Sequence, residues 1–176
     1  ESYKYGRIIR EGYKLVIVGK PNVGKSSLFN HIVGKNRAIV TEIPGTTRDY
    51  LEEKISIDGY PIILIDTAGL RDQNNADNIE AIGIDYTLKK INEADLVIFL
   101  LDGSKFLEPP DFELFTKIRN KPFIIVSNKF DLPQHITNED IEKHFNTSEM
   151  LQISVKQQIN LDYLKKWITE NLKNFN

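Results

Sequence analysis

The chain has 176 residues, with 40% hydrophobic and 27% charged, which fits one soluble globular domain with a real core. A net charge of −2 and a pI near 6.0 exclude a global basic footprint for nucleic acid. The lack of cysteine excludes disulfides and thiolate chemistry, and no apolar run approaches the ~18 residues a membrane span needs. The first residues contain no apolar signal core and no initiator Met, the latter suggesting a piece of a longer chain, while the lack of cysteine is compatible with the cytoplasm. His31, His135 and His144 lack the spacing of a zinc site.

Residues 1–12 read as a short helix ending at Gly12, a linker from a preceding region, with the main domain over 13–176. Tyr13 to Val18 is a buried strand. Residues 19–26, Gly-Lys-Pro-Asn-Val-Gly-Lys-Ser, form a G-x-x-x-x-G-K-S turn, and Ser26 to Val33 is a helix closed by Gly34. Residues 35–49 lack any period and predict a long functional loop. Leu51 to Ile57 alternates as a strand with one wet face, Asp58-Gly59 is a hairpin turn, and Pro61 to Ile65 returns as a strand ending in Asp66. Residues 70–79 read as a loop, followed by a helix from about Glu80 to Asn92. Leu96 to Leu101 is an apolar strand, Pro109 to Arg119 a helix, and Phe123 to Val126 a strand. A short helix begins near Thr137, Met150 to Val155 is the last strand, and Leu161, Leu164, Ile168, Leu172 and Phe175 mark a closing helix. All strands but the second read as buried on both faces. The order predicts an α/β fold, a six-stranded mostly parallel sheet with one antiparallel strand and helices on both faces.

Strand, glycine turn and helix start are the setting of a phosphate-binding loop. The backbone of Asn22, Val23, Gly24, Lys25, Ser26 and Ser27 would wrap an anion at a helix N-terminus. Lys25 would reach the outer phosphates, and the Ser26 hydroxyl would ligate Mg²⁺. Asp66, at the C-terminal end of a buried strand, would hold Mg²⁺ through water, and Gly69 would allow close approach to a γ-phosphate. Thr46 and Thr47 are candidates to complete the metal shell through a hydroxyl. In Asn128-Lys129-Phe130-Asp131, the Asp131 carboxylate can accept from both N1–H and the 2-amino group of guanine, a donor pair adenine lacks. The Lys129 stem could cover the base, and Asn128 could tie this loop to the first. Ser154, Val155 and Lys156 sit where a backbone N–H could reach the guanine O6.

Together these segments resemble the translation-factor-related small GTPases, with a P-loop small-GTPase fold. The finer resemblance is to the G domain of the tRNA-modification GTPase family MnmE (TrmE). It rests on GKPNVGKS, PGTTRD, DTAGL, NKFD and SVK in this order, and on stretches such as YGRIIREG and SIDGYPIILIDTAGLR. The resemblance implies GTP hydrolysis with Mg²⁺ held by Ser26, Thr47 and Asp66. It also implies K⁺ held by Asn22, Thr41, Ile43 and Thr46, and activation when two G domains dimerise across the nucleotide face. It implies a flavoprotein partner, MnmG, and tRNA wobble uridine as the object of the full-length protein. Leu70 stands where many small GTPases place a water-orienting Gln, so the resemblance passes that role to Glu80. Arg48 and Arg71 read as solvated or dimer-contact residues. Two other readings stay open: a module that senses GTP without hydrolysis, and a G domain of a ribosome-assembly GTPase like Der or Era.

Overall fold

The structure is a computed structural model of the chain, and it describes residues 2–36, 52–67 and 76–175. Helix α1 (Ser2–Glu11) leads to β1 (Tyr13–Val18), α2 (Lys25–Asn36), β2 (Glu52–Ile57) and β3 (Tyr60–Asp66). Then come α3 (Ala76–Glu93), β4 (Leu96–Asp102), α4 (Pro109–Ile118), β5 (Phe123–Asn128), α5 (Asn138–Phe145), β6 (Leu151–Gln152) and α6 (Leu161–Lys173). The strands form one sheet in the order β2-β3-β1-β4-β5-β6, antiparallel only between β2 and β3. From β1 the chain goes first to one side of the sheet and later to the other. The loop after β1 therefore opens at the switch point, where open α/β sheets bind ligands.

Alternation along each strand explains why the strand sequences are apolar throughout. Leu15 and Ile17 of β1 face a core shared with Leu28, Phe29 and Ile32 of α2 and Leu164, Ile168 and Leu172 of α6. Val16 and Val18 face the other core, with Phe99, Ile118, Ile141 and Phe145. With both faces covered, neither side of the strand can be polar. The second core is aromatic: Phe99 meets Phe145 edge-on at 5.6 Å, and Phe115 meets Phe123 at 5.4 Å. Each fully buried side chain of this size contributes roughly 1.5–3 kcal/mol.

Three boundaries and the burial of two strands differ from the sequence expectations. Helix α2 runs through Gly34 to Asn36, whose side-chain amide donates to the Ile32 carbonyl at 2.9 Å. Gly34 stops nothing, because the helix is held by its buried face, Leu28, Phe29, Ile32 and Val33. Helix α3 begins at Ala76, so Glu80 lies in its second turn rather than at its start. β6 is only Leu151–Gln152, because Ser154 leaves the ladder to form an isolated bridge with Ile159. Both β6 residues, and Ile63 of β3, are only partly buried, so these strands are less enclosed than their sequences suggest. The hairpin matches expectation. Asp58 and Gly59 both have positive φ, 50° and 84°, as a two-residue turn between twisted strands requires.

Candidate nucleotide-binding site

The C-terminal ends of β1, β3 and β5 open onto a cleft of about 1170 Å³. Its walls include the loop from Gly19 to Ser27, then Thr67, Asn128, Lys129, Asp131, Val155 and Lys156. The parallel sheet brings together residues more than 100 positions apart in the chain.

The loop after β1 is held from its carbonyl side. Lys25 is buried, and its Nζ donates to the carbonyls of Gly19 and Lys20, each at 2.6 Å. Asn128 Nδ2 donates to the Val23 carbonyl at 2.9 Å, and Lys129 Nζ to the Asn22 carbonyl at 2.9 Å. Asn22 sits at φ 66° and Gly24 at φ 107°, left-handed values that bend successive N–H groups toward one side. A β-carbon on Gly24 would run into the Asn128 side-chain amide, so only glycine suits both the turn and its neighbour. At Gly19 a β-carbon would lie 2.5 Å from the Leu100 carbonyl.

Lys20 anchors the same loop to α4. Its Nζ lies 2.8 Å from Glu108 Oε2 and 2.9 Å from the buried Asp111 Oδ2. Asp111 in turn accepts the Glu108 N–H at 2.9 Å, so one carboxylate both caps α4 and grips the loop. Burial works against the Lys20 charge, but the two carboxylates outweigh it and hold its pKa above the ordinary lysine value. The same pairing holds the Glu108 carboxyl below the ordinary range.

Ser26 Oγ donates to Asp66 Oδ2 at 3.1 Å, and Asp66 is buried at the end of β3. A hydroxyl and a carboxylate side by side beneath a phosphate loop are the hard oxygen donors that Mg²⁺ prefers. No group of three His, Cys, Asp or Glu side chains placed to hold a metal occurs among the described residues.

At the other end of the cleft, exposed Asp131 accepts a hydrogen bond from Ser154 Oγ at 2.7 Å. Ser154 is fully buried, and its Oγ also accepts the Gln157 N–H at 3.0 Å. The Val155 N–H donates to Asn128 Oδ1 at 3.2 Å, a long bond that a base carbonyl could replace. Lys156 is exposed on the wall. Lys129 and Asn128 thus join the Asp131 end of the cleft to the loop after β1.

Of the expected site residues, Asn22, Val23, Gly24, Lys25, Ser26, Ser27, Asp66, Asn128, Lys129, Asp131, Ser154, Val155 and Lys156 converge here. Thr41, Ile43, Thr46, Thr47, Arg48, Gly69, Leu70 and Arg71 lie outside the described residues, as does the side chain of Glu80. Sequence reasoning missed Asp102. This buried carboxylate ends β4 and lies 2.8 Å from Lys129 Nζ. The signal was present, an aspartate closing an apolar strand on the same sheet edge as Asp66.

Residues 14–129 match the family described as 50S ribosome-binding GTPase. Over 165 residues the chain is 48% identical to the tRNA modification GTPase MnmE of Clostridioides difficile (strain 630), an alignment covering 94% of this chain and 36% of that protein. The chain thus spans little more than a third of the length of the curated relatives it matches. Among solved structures it is similar to Aquifex aeolicus Era bound to GDP and AlF4⁻, with 32% identity and a TM-score of 0.68, over 90% of this chain and 56% of that one. It is also similar to the G domain of the T. maritima FeoB iron transporter, with 30% identity and a TM-score of 0.63, over 91% and 98% of the two chains.

Proposed function

The chain belongs to the 50S ribosome-binding GTPase family, and from that premise we propose that it is the potassium-assisted, dimerisation-activated G domain of a tRNA wobble-uridine modification GTPase. The observation that best supports this reading is the bond from Asn128 to the Val23 carbonyl, which joins the loop that would select guanine to the loop that would hold the phosphates. A nucleotide lying along this bridge would place its base on Asp131 and its phosphates on residues 22–27. Lys25 would exchange the Gly19 and Lys20 carbonyls for phosphate oxygens, gaining charge-assisted hydrogen bonds. Ser26 and Asp66, with Thr47, would hold Mg²⁺. Asn22, with Thr41, Ile43 and Thr46, would hold K⁺, whose charge offsets the negative charge that builds up in phosphoryl transfer.

Leucine at position 70 cannot orient water, so Glu80 takes that role, and α3 supplies it from its second turn. Two such G domains would meet across the nucleotide face. Similarity to MnmE over nearly the whole chain supports the wider assignment. In it, the full-length protein works in the cytoplasm with the flavoprotein MnmG on tRNA.

Single-turnover GTP hydrolysis in KCl against NaCl tests the enzymatic core. Faster hydrolysis in KCl is expected, with Glu80→Ala lowering the rate by about 10²-fold or more at unchanged GTP affinity. No potassium effect, together with full activity in Glu80→Ala, would overturn the mechanism and favour a GTP-sensing module. The likeness to Era favours a second reading, a ribosome-assembly GTPase. Nucleotide-dependent co-sedimentation with ribosomal subunits, without capture of MnmG, would select it.

A further inference from the structure

We propose that Asp102 is a positioning residue for the phosphate loop. Through Lys129 it fixes the loop's backbone, and so sets how firmly the loop grips a polyphosphate whether or not a base is attached. The proposal rests on reading the cleft as a nucleotide site.

A peptide unit is planar and trans, so a carbonyl held on one side aims the next N–H to the opposite side. Lys129 holds the Asn22 carbonyl and Asn128 holds that of Val23. The directions of the Val23 and Gly24 N–H groups are therefore set by side chains outside the loop. Anions bind to such N–H groups in a turn. The support matters because Asn22 occupies a left-handed conformation that residues with a β-carbon adopt less readily than glycine.

The two holders differ in how they are themselves held. Asn128 is short, buried and fixed at its Oδ1 by the Val155 N–H. Lys129 reaches the loop on a flexible four-carbon stem and needs a fixed counter-charge to stay there. Asp102 supplies it: Oδ2 lies 2.8 Å from Lys129 Nζ, and Oδ1 accepts Ser104 Oγ at 2.6 Å and Ser104 N–H at 3.0 Å. Strand pairing sets the distance, since β4 and β5 are in register with Asp102 opposite Asn128. Lys129 lines the cleft and Asp102 does not, so the carboxylate acts through the lysine.

The test is an amide NMR titration of this chain, following Gly24 and Lys25, with inorganic tripolyphosphate plus Mg²⁺ and separately with GDP. Asp102→Asn keeps shape and polarity while removing the charge. Both ligands should weaken by a similar factor, about tenfold. In a Lys129→Met background, Asp102→Asn should add nothing, whereas a merely structural role would weaken binding further. Loss of GDP affinity with unchanged tripolyphosphate affinity would overturn the proposal, as would unchanged affinity for both. If Asp102→Asn does not fold, Lys129→Met carries the same expectation, and full tripolyphosphate affinity there is the overturning result. A wild-type chain that binds neither GDP nor tripolyphosphate would instead refute the nucleotide reading itself.

Discussion

Strand β4 has an aspartate at each end, and the two do different work. Asp95, just before the strand, takes two hydrogen bonds from Arg7 Nη2 at 2.7 and 2.9 Å and a third from the Lys14 N–H at 2.9 Å. Its own N–H donates to the Lys14 carbonyl at 2.9 Å. This cluster pins α1 to the start of β1, at the end of the strand opposite the glycine loop. Asp102, at the far end, pairs with a lysine that also holds the ligand-facing loop. Both carboxylates are buried beside a cation. What separates them is where the cation's other contacts lead. A buried ion pair that is closed on itself fixes a fold, whereas one that is chained onward can fix a site.

That contrast can be broken at either end. The largest effect belongs at the ligand end. Asp131→Asn should shift nucleotide preference from guanine to xanthine by on the order of 10³-fold, because the new amide donates where guanine also donates. Competition between GDP and XDP measures it, and an unchanged melting temperature would keep it a site effect. At the closed end, Asp95→Asn should destabilise the chain by about 3 kcal/mol, the lower part of the range for a broken buried pair, because Arg7 is partly exposed. Thermal or urea unfolding reads this loss, and GDP affinity of the folded fraction should not change. A fall in affinity would erase the distinction between the two ends.

The smallest effect is in acid. Burial favours the neutral form of Asp102, but hydrogen bonds from Lys129 and Ser104 outweigh it and hold the carboxyl below its ordinary value of 3.8. A depressed folded-state pKa stabilises the fold above the unfolded value, and that contribution is lost as pH falls through the folded one. Asp102→Asn should therefore show a shallower loss of stability below pH 3.8 than the wild type. Parallel curves in unfolding experiments across that range would contradict this.

Much of this was legible in the chain alone, because local chemistry decided it. The Asp58-Gly59 turn, the apolar β1 and β4 strands and the glycine loop each carry their cause within a few residues. Helix α2 was harder to bound. Gly34 disfavours helix by about 1 kcal/mol, a cost that burial of four large neighbours offsets without leaving a local sign. The shortness of β6 has a similar origin. Ser154 is diverted by Ile159 and Gln157, and those bonds exist only once the chain has turned. Asp102 shows the limit most clearly. Its partner Lys129 is 27 residues away, and only the parallel register of β4 on β5 reveals that the two meet.

The collision that a side chain at position 24 would make with Asn128 has an evolutionary consequence. The two positions fit as a lock fits its key, although 104 residues separate them, as the numbering shows. Neither can drift alone: a larger residue at 24 ejects the amide, and a different residue at 128 releases the Val23 carbonyl. Recombination that exchanged only one of these segments with a distant relative would have to bring a partner already fitted to it. The first half of the domain and the second would, in that sense, have to change together.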